Sequence, residues 1–227
     1  MNLTNKVVVI VGGSQGFGKS LAKLFIKEGA KVVIISKNKS SVELTSQEIN
    51  AISFVADVRS EESLNLAAEG IVSSLGSIDI WINSAGVFMK FPSNKPLNMD
   101  RAREMFDVNF FGTVLGSKVA INHFKKDGAI INILSSAALD ATRAIGASLY
   151  ASSKWAVRGY TDALRAENKD ISVFSIYPGG MKTHLHDESI PADFNNFMNP
   201  DFVSAKVIDN LKLDKPELEL IIKRPNA

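Results

Sequence analysis

The sequence predicts an α/β fold, in which a parallel sheet of about seven strands lies between two layers of helices. Residues 6–11 read KVVVIV, an uninterrupted apolar strand such as a sheet covered on both faces requires. A glycine-rich turn follows directly. A helical segment then leads to a second apolar strand, KVVII, at residues 31–35. Strand, helix and strand within about thirty residues form a β-α-β unit, which predicts a doubly wound, Rossmann-type sheet in three layers.

The rest of the chain continues this alternation. Further strands are predicted at 51–55, 77–83, 128–134, 172–177 and 218–222, and helices at 57–75, 100–124, 150–168 and 201–210. The carboxyl ends of parallel strands share one edge of a sheet. We therefore expect a ligand-binding crevice at that edge, where the strand order reverses.

Length and composition indicate a single domain covering residues 1–227, with 45% hydrophobic and 22% charged residues. A formal net charge of +2, with lysines spread along the chain, argues against a nucleic-acid partner. The absence of cysteine excludes disulfides and thiolate chemistry. No apolar run approaches twenty residues, so we expect a cytoplasmic protein with no signal peptide and no membrane partner.

The turn after the first strand, residues 12–18, reads GGSQGFG and opens a helix. Glycines such as Gly12 and Gly16 let the backbone turn tightly and approach a pyrophosphate, and the helix N-terminus favours its charge. Ser14, Gln15 and Phe17 belong to the same turn. A purely structural turn is the alternative, but the flanking strands and helix favour nucleotide binding.

This glycine spacing, Gly-x-x-x-Gly-x-Gly, resembles that of the short-chain dehydrogenase/reductase family. Val11 departs from the threonine usual before the turn, and Ser84 from the second asparagine of Asn-Asn-Ala-Gly. Further motifs of the family follow in its order along nearly the whole chain: Asn83-Ser84-Ala85-Gly86, Val108-Asn109-x-x-Gly112, a serine after the strand at 128–134, Tyr150-x-x-x-Lys154 and Pro178-Gly179-x-x-x-Thr183. The resemblance implies a nicotinamide cofactor and hydride transfer.

The end of the second strand selects between cofactors. A carboxylate there would bind the ribose hydroxyls of NAD and repel a 2′-phosphate. This chain has Ser36, Lys37 and Asn38 instead, a hydroxyl and a cation with no acid. The pattern favours NADP(H) over NAD(H), with a merely solvated Lys37 as the alternative.

The resemblance also implies the remaining cofactor contacts. Asp57 and Val58 would face the adenine, backbone groups from Pro178 onward would hold the nicotinamide, and Tyr150 would lie near the nicotinamide ribose. The full set of further cofactor residues is Asp57, Val58, Asn83, Ala85, Gly86, Tyr150, Lys154, Pro178, Gly179, Met181 and Thr183. Asn83 is expected mainly to shape the site by tying strands together.

Tyr150 and Lys154 are four residues apart, on one face of a helix. A nearby ammonium favours the phenolate, so we expect Lys154 to lower the pKa of Tyr150 and make it a general acid or base. Taken alone, such a pair is more often ordinary helix surface. The family motifs around it favour an active site.

Two further catalytic residues follow from the resemblance. A serine just past the fifth strand would hold the substrate oxygen. Strand register favours Ser135, whereas counting back from Tyr150 comes closer to Ser136, and register is the stiffer criterion. Asn109 would open a helical turn and hold a water that links Lys154 to solvent.

The sequence thus predicts an NADP(H)-dependent enzyme that reduces a small carbonyl compound or oxidises a secondary alcohol. The alternatives are a non-catalytic NADP(H) sensor or scaffold, and an enzyme of the same fold that dehydrates or epimerises. A homodimer or homotetramer through the helices of Asp100 and Tyr150 is expected. Phe88, Met89 and Phe91 are expected either to line the substrate pocket or to pack in the core. Residues 184–200 are expected to form a loop that covers the site. His184 and His186 are interpreted as solvated residues of that loop, and no metal is expected.

Overall fold

The computed structural model describes residues 1–186, 190–191 and 193–224, without the side chains at 125, 126 and 143. This part of the chain forms one sheet of seven parallel strands in the order β3-β2-β1-β4-β5-β6-β7. The strands are β1 Val7–Val11, β2 Lys31–Ser36, β3 Ile52–Val55, β4 Ile78–Asn83, β5 Phe124–Ile133, β6 Ser172–Pro178 and β7 Glu219–Ile222. The predicted fold class is confirmed.

Seven α-helices of the described chain cover the sheet on both sides. They are α1 Gly16–Lys27, α2 Lys39–Ile49, α3 Glu61–Leu75, α4 Met99–Phe106, α5 Gly112–His123, α6 Ser148–Glu167 and α7 Pro200–Lys212. Helices α1, α2 and α7 pack on one face, and α3, α5 and α6 on the other. None of these helices is long and apolar enough to cross a membrane.

Strand β1 shows why its sequence is apolar throughout. Val8 and Ile10 face the core under α1, whereas Val7, Val9 and Val11 face the opposite core, and all five are buried. A strand covered on both faces has no solvent side, so it does not alternate with polar residues. The strand order reverses between β1 and β4, and this places the turns after Val11 and Asn83 side by side.

The predicted helix at 100–124 is interrupted. A π-helical turn, Asp107–Phe111, separates α4 from α5, and β5 already begins at Phe124. Such a turn inserts one extra residue into the helical ladder, a feature that is frequent at functional sites. Asn109 lies inside this turn and is fully buried.

A buried amide network joins the central strands. The Asn83 side chain donates to Asn132 Oδ1 at 2.8 Å and to Ser117 Oγ at 3.0 Å, and it accepts from Trp81 Nε1 at 2.8 Å. Asn132 in turn donates to Thr161 Oγ1 of α6 at 3.0 Å. Strands β4 and β5 are therefore cross-linked by side chains as well as by backbone, directly beneath the carboxyl edge.

Changing Asn83→Ala leaves the Trp81 and Asn132 groups without this partner in a dry interior. We expect a loss of about 3 kcal/mol in the free energy of unfolding, measured by urea denaturation. Ser117→Ala is the control, since Asn83 keeps its bond to Asn132, and should cost about 1 kcal/mol. Equal, small losses in both variants would show that the network does not stabilise the sheet.

Candidate active site

A cleft of about 250 Å³ opens at the carboxyl edge where the strand order reverses. The structure brings most of the predicted cofactor residues together along it: Gly12, Ser14, Gln15, Gly16, Phe17, Ser36, Lys37, Asp57, Val58, Ala85, Gly86, Met181 and Thr183. The remaining predicted cofactor residues do not line the cleft but lie beneath or beside it: Asn38, Asn83, Tyr150, Lys154, Pro178 and Gly179.

The glycine turn is shaped by close backbone contacts. Gly12 has φ +84°, and a Cβ there would lie 2.6 Å from the backbone nitrogen of Ala85. A Cβ on Gly18 would lie 2.2 Å from the carbonyl oxygen of Gly12. Helix α1 begins at Gly16, and the side chain of its N-cap residue, Gln15, does not cap it. An uncapped helix N-terminus beside a glycine turn fits a pyrophosphate.

The end of β2 provides a hydroxyl and a cation. Ser14 Oγ donates to Ser36 Oγ at 3.1 Å. Lys37 lines both the cleft and an adjoining depression and, within the described chain, forms no salt bridge. Asn38 also lines that depression, but its side-chain oxygen accepts from the backbone N–H of Ser41 at 2.9 Å and so caps α2.

Asp57 is held by a residue that the sequence interpretation missed. Arg59 donates to Asp57 Oδ1 from its backbone nitrogen and from Nε, both at 3.0 Å. These hydrogen bonds to Arg59 lower the pKa of the Asp57 carboxyl below its ordinary value. Asp57 is therefore a fixed carboxylate in the cleft wall. The local signal was present, since an aspartate readily bonds the backbone two residues on.

Tyr150 and Lys154 lie on the buried face of α6. Ser135, which follows β5, lies close enough to the Tyr150 hydroxyl to favour the phenolate form and so to act on the pKa of Tyr150. Lys154 is 5% exposed, and its Nζ donates to the carbonyl oxygen of Ile133 at 3.0 Å. Burial lowers the pKa of Lys154 from 10.5 to about 8.

The expectation that the pKa of Tyr150 is lowered overall is wrong for this structure. Burial raises the pKa of Tyr150 above its ordinary value, and the nearby Ser135 side chain offsets this only in part. The physical reason is desolvation, which disfavours the phenolate. Lys154 Nζ lies 6.0 Å from the centroid of the Tyr150 ring and is bonded to a carbonyl. Tyr150 is thus a neutral phenol at neutral pH.

Asn109 joins three elements beside this pair. Its side chain accepts from the Val87 N–H at 2.8 Å, and it donates to the Val87 carbonyl at 3.0 Å and to Ser153 Oγ at 3.2 Å. A Cβ on Gly86 would lie 3.3 Å from Asn109 Oδ1 and 3.9 Å from Lys154 Nζ. The amide therefore fixes the loop after β4 against α6. A water held here remains a prediction.

In the Pro178–Thr183 motif, the first residues support the end of the sheet and the later ones line the cleft. Pro178 is part of β6, and Gly179 donates its N–H to the Ile222 carbonyl of β7 at 2.9 Å. Met181 and Thr183 reach the cleft. Asn83 is likewise beneath the cleft, in the amide network described above.

Aromatic rings extend from Tyr150 into the predicted covering loop, of which residues 187–189 and 192 lie outside the described chain. Phe88 contacts Tyr150 edge-on at 4.9 Å between centroids, and His186 contacts Phe88 at 4.8 Å. Met89 packs in a small core with Tyr150, and Phe91 packs against that core. His186 is therefore in a ring cluster and is not merely solvated. Among the described residues, no three metal-binding side chains converge.

A doubly wound parallel sheet with a glycine turn at its reversal point is the architecture of dinucleotide-binding domains. Residues 6–193 match the profile of a family described as short chain dehydrogenase. The chain belongs to the short-chain dehydrogenase family.

A curated relative and two solved structures show the extent of the similarity. The chain is 33% identical over 224 residues to an uncharacterized oxidoreductase, YxnA, of Bacillus subtilis, and the match covers 91% of this chain and 62% of YxnA. A 3-ketoacyl-(acyl-carrier-protein) reductase from Brucella melitensis complexed with NADH is 26% identical, with a TM-score of 0.89 and coverage of 99% and 98% of the two chains. A short chain dehydrogenase from Burkholderia cenocepacia in complex with NADP is 25% identical, with a TM-score of 0.87 and 98% of both chains covered.

The lowered pKa of Lys154, about 8, predicts an unusual pH dependence of stability. Between pH 8 and 10.5 the unfolded lysine keeps its proton while the folded one loses it. The unfolded state then binds more protons, so the contribution of Lys154 to the free energy of unfolding rises with pH. Urea denaturation should show wild type gaining about 2–3 kcal/mol relative to Lys154→Met between pH 7.5 and 10.

The matched control is Lys169→Met, at an exposed lysine just beyond the end of the same helix. Its stability relative to wild type should stay constant over this pH range. A flat difference for Lys154→Met as well would contradict the buried, desolvated state of Lys154.

Proposed function

We propose that this protein is an NADP(H)-dependent oxidoreductase that transfers a hydride between the nicotinamide and a small carbonyl or secondary-alcohol substrate. The observation that carries the proposal is the placement of Tyr150 and Lys154 one helical turn apart on the buried face of α6, beside Ser135. This group adjoins a cleft formed by a glycine turn and a helix N-terminus. The oxidoreductase name of YxnA and the NADP or NADH of the two structural neighbours also support it.

The residues of the cleft fit the cofactor. The glycine turn and the N-terminus of α1 would bind the pyrophosphate, and Lys37 with Ser36 would bind the 2′-phosphate of the adenosine ribose. Met181 and Thr183 would orient the nicotinamide, and Asp57 would face the adenine. When bound, the cofactor supplies the hydride.

Tyr150 and Ser135 supply the proton and hold the oxygen. In the reductive direction the substrate oxygen accepts a hydrogen bond from Ser135 and then the phenolic proton of Tyr150, as the carbonyl carbon gains the hydride. The raised pKa of Tyr150 keeps this proton in place at neutral pH. The phenolate left behind is the costly species. Lys154, mostly protonated below its pKa of about 8, would stabilise it.

Asn109 would support proton return to Tyr150. Its side-chain amide is fully used within the protein, so it acts by holding Val87 and α6 in place beside Lys154. A water in this region would complete the path from Lys154 to solvent.

A non-catalytic NADP(H) sensor or scaffold is the second candidate, and one observation favours it. Tyr150 is only 8% exposed and Phe88 packs edge-on against its ring, so access to the phenol is restricted. Turnover with any member of a panel of ketones and aldehydes would decide for the enzyme.

Location and assembly complete the proposal. We place the protein in the cytoplasm, as a homodimer or homotetramer. Two exposed aromatic side chains support assembly through the helical faces: Phe111, the last residue of the π-helical turn before α5, is 51% exposed, and Trp155, on α6, is 43% exposed.

Changing Tyr150→Phe removes the transferable proton while keeping the ring. We expect turnover of the best substrate from the panel to fall by about 10²–10⁴-fold, with the dissociation constant for NADPH nearly unchanged. Ser135→Ala should also lower turnover. Ser136→Ala removes the neighbouring hydroxyl and should leave turnover near the wild-type value. Wild-type turnover in the Tyr150 variant would rule out this assignment.

Changing Lys37→Gln removes the cation at the end of β2 and tests cofactor choice without any substrate. Fluorescence titration should show NADPH binding weakened about tenfold or more, because a charge-assisted hydrogen bond to phosphate is lost. NADH binding should stay within about twofold. Lys39→Gln, an exposed lysine two residues on, is the matched control. Equal weakening of both cofactors would overturn the NADP(H) preference.

A further inference from the structure

Arg224, just after β7, contacts the predicted covering loop in two ways. Its guanidinium lies 4.6 Å from the centroid of the Phe197 ring. The same group donates from Nη1 to a carboxylate oxygen of Asp193. We call residues 193–198 the covering segment. The Arg224 side chain is 29% exposed and that of Asp193 is 50% exposed, so the ion pair alone is weak, and stacking adds to it.

Phe197 is also held by the backbone at Gly180. A Cβ on Gly180 would lie 2.7 Å from the Phe197 ring, so this ring lies directly against the glycine backbone. The next residue, Met198, donates its N–H to the Gly180 carbonyl at 2.9 Å and accepts from the Lys182 N–H at 2.9 Å. The covering segment thus pairs with the stretch that carries Met181, a cleft residue.

From Phe197 a row of rings leads to Tyr150. His186 contacts Phe197 at 5.3 Å between centroids, and Phe88 contacts both His186, at 4.8 Å, and Tyr150, at 4.9 Å. We call Phe88, His186 and Phe197 the ring wall. A wall of ring edges and faces next to a buried phenol favours flat, apolar groups through edge-to-face and stacking contacts.

We propose that Arg224 is a positioning residue, which holds Phe197 and Asp193 so that the ring wall lies against Tyr150 and selects carbonyl substrates with an aromatic or other flat apolar group beside the C=O. The choice of substrate rests on the proposed function. The positioning of the covering segment by Arg224 does not.

The proposed positioning requires an arginine at position 224, because a single guanidinium makes both the contact with the Phe197 ring and the ion pair with Asp193. Its planar guanidinium stacks on Phe197 while one edge bonds Asp193. The same contact holds the pKa of the Asp193 carboxyl below its ordinary value. A lysine would keep the charge and lose the stacking, so Arg224→Lys separates the two contributions.

Hydrogen exchange tests the positioning without cofactor or substrate. In Arg224→Gln, exchange at the Met198 and Lys182 amides should accelerate at least tenfold, whereas amides of β1 should be unchanged. Arg224→Lys should be intermediate, and Lys223→Gln, the exposed neighbour, should match wild type. Equal exchange in Arg224→Gln and Lys223→Gln overturns the positioning role, and accelerated exchange throughout the chain overturns it too, since that is a general loss of stability.

Kinetics test the selection. With NADPH, the ratio of kcat/KM for acetophenone to that for 2-butanone should be well above one in wild type and should fall about tenfold in Arg224→Gln, mainly through a higher KM for acetophenone. Arg224→Lys should lie between, and Lys223→Gln should keep the wild-type ratio. A wild-type ratio at or below one, or an unchanged ratio in Arg224→Gln, overturns the selection. No turnover by wild type with the wider carbonyl panel overturns the proposed function and the selection with it, while the exchange result still decides the positioning.

Discussion

The close approach of two turns, after β1 and after β4, is the constraint on which the cleft depends. Gly12 lies so near the backbone of Ala85 that any side chain would force the turns apart. The same approach lets the N-terminus of α1 face the crevice, and it is possible only because β1 and β4 are neighbours in a parallel sheet. The amide network of Asn83 then holds β4 against β5 just beneath. The strand order brings the two turns together, the glycine at position 12 allows their close approach, and the cleft is formed as a result.

The electrostatics around Tyr150 show how burial and charge compete. A lysine one helical turn away suggests a lowered pKa, but both groups are buried, and burial favours the neutral form of each. In the proposed reaction, this neutral phenol would give up its proton at neutral pH and regain it with the help of the lysine, whose pKa is about 8. The cost of the phenolate is then met during the reaction and not in the resting protein.

Much of the fold was predictable because its signals are local. The strands are apolar throughout, and the glycine turn must contain glycine at Gly12, so both are visible in the residues themselves. The opened helical turn at Asn109 was expected only from the family resemblance and not from a local signal, because Asn109 bonds Val87 and Ser153, which are distant in sequence. The cap made by Asn38 competes with its predicted cofactor role, and Arg224 meets Phe197 only through the tertiary fold. Contacts distant in sequence leave no periodic pattern.

The bridge between Met181 and Met198 has a consequence for the order of events in the site. One short run of backbone, residues 180–183, belongs to the cleft on one side and is paired with the covering segment on the other. A ligand that restricts the motion of residues 180–183 also restricts the covering segment, so a single entropy cost covers the ordering of both. Thermodynamic linkage makes the effect mutual, so the first ligand to bind tightens the second by the same factor that the second tightens the first. Occupancy of the cleft and the position of the covering segment are therefore coupled through two backbone hydrogen bonds.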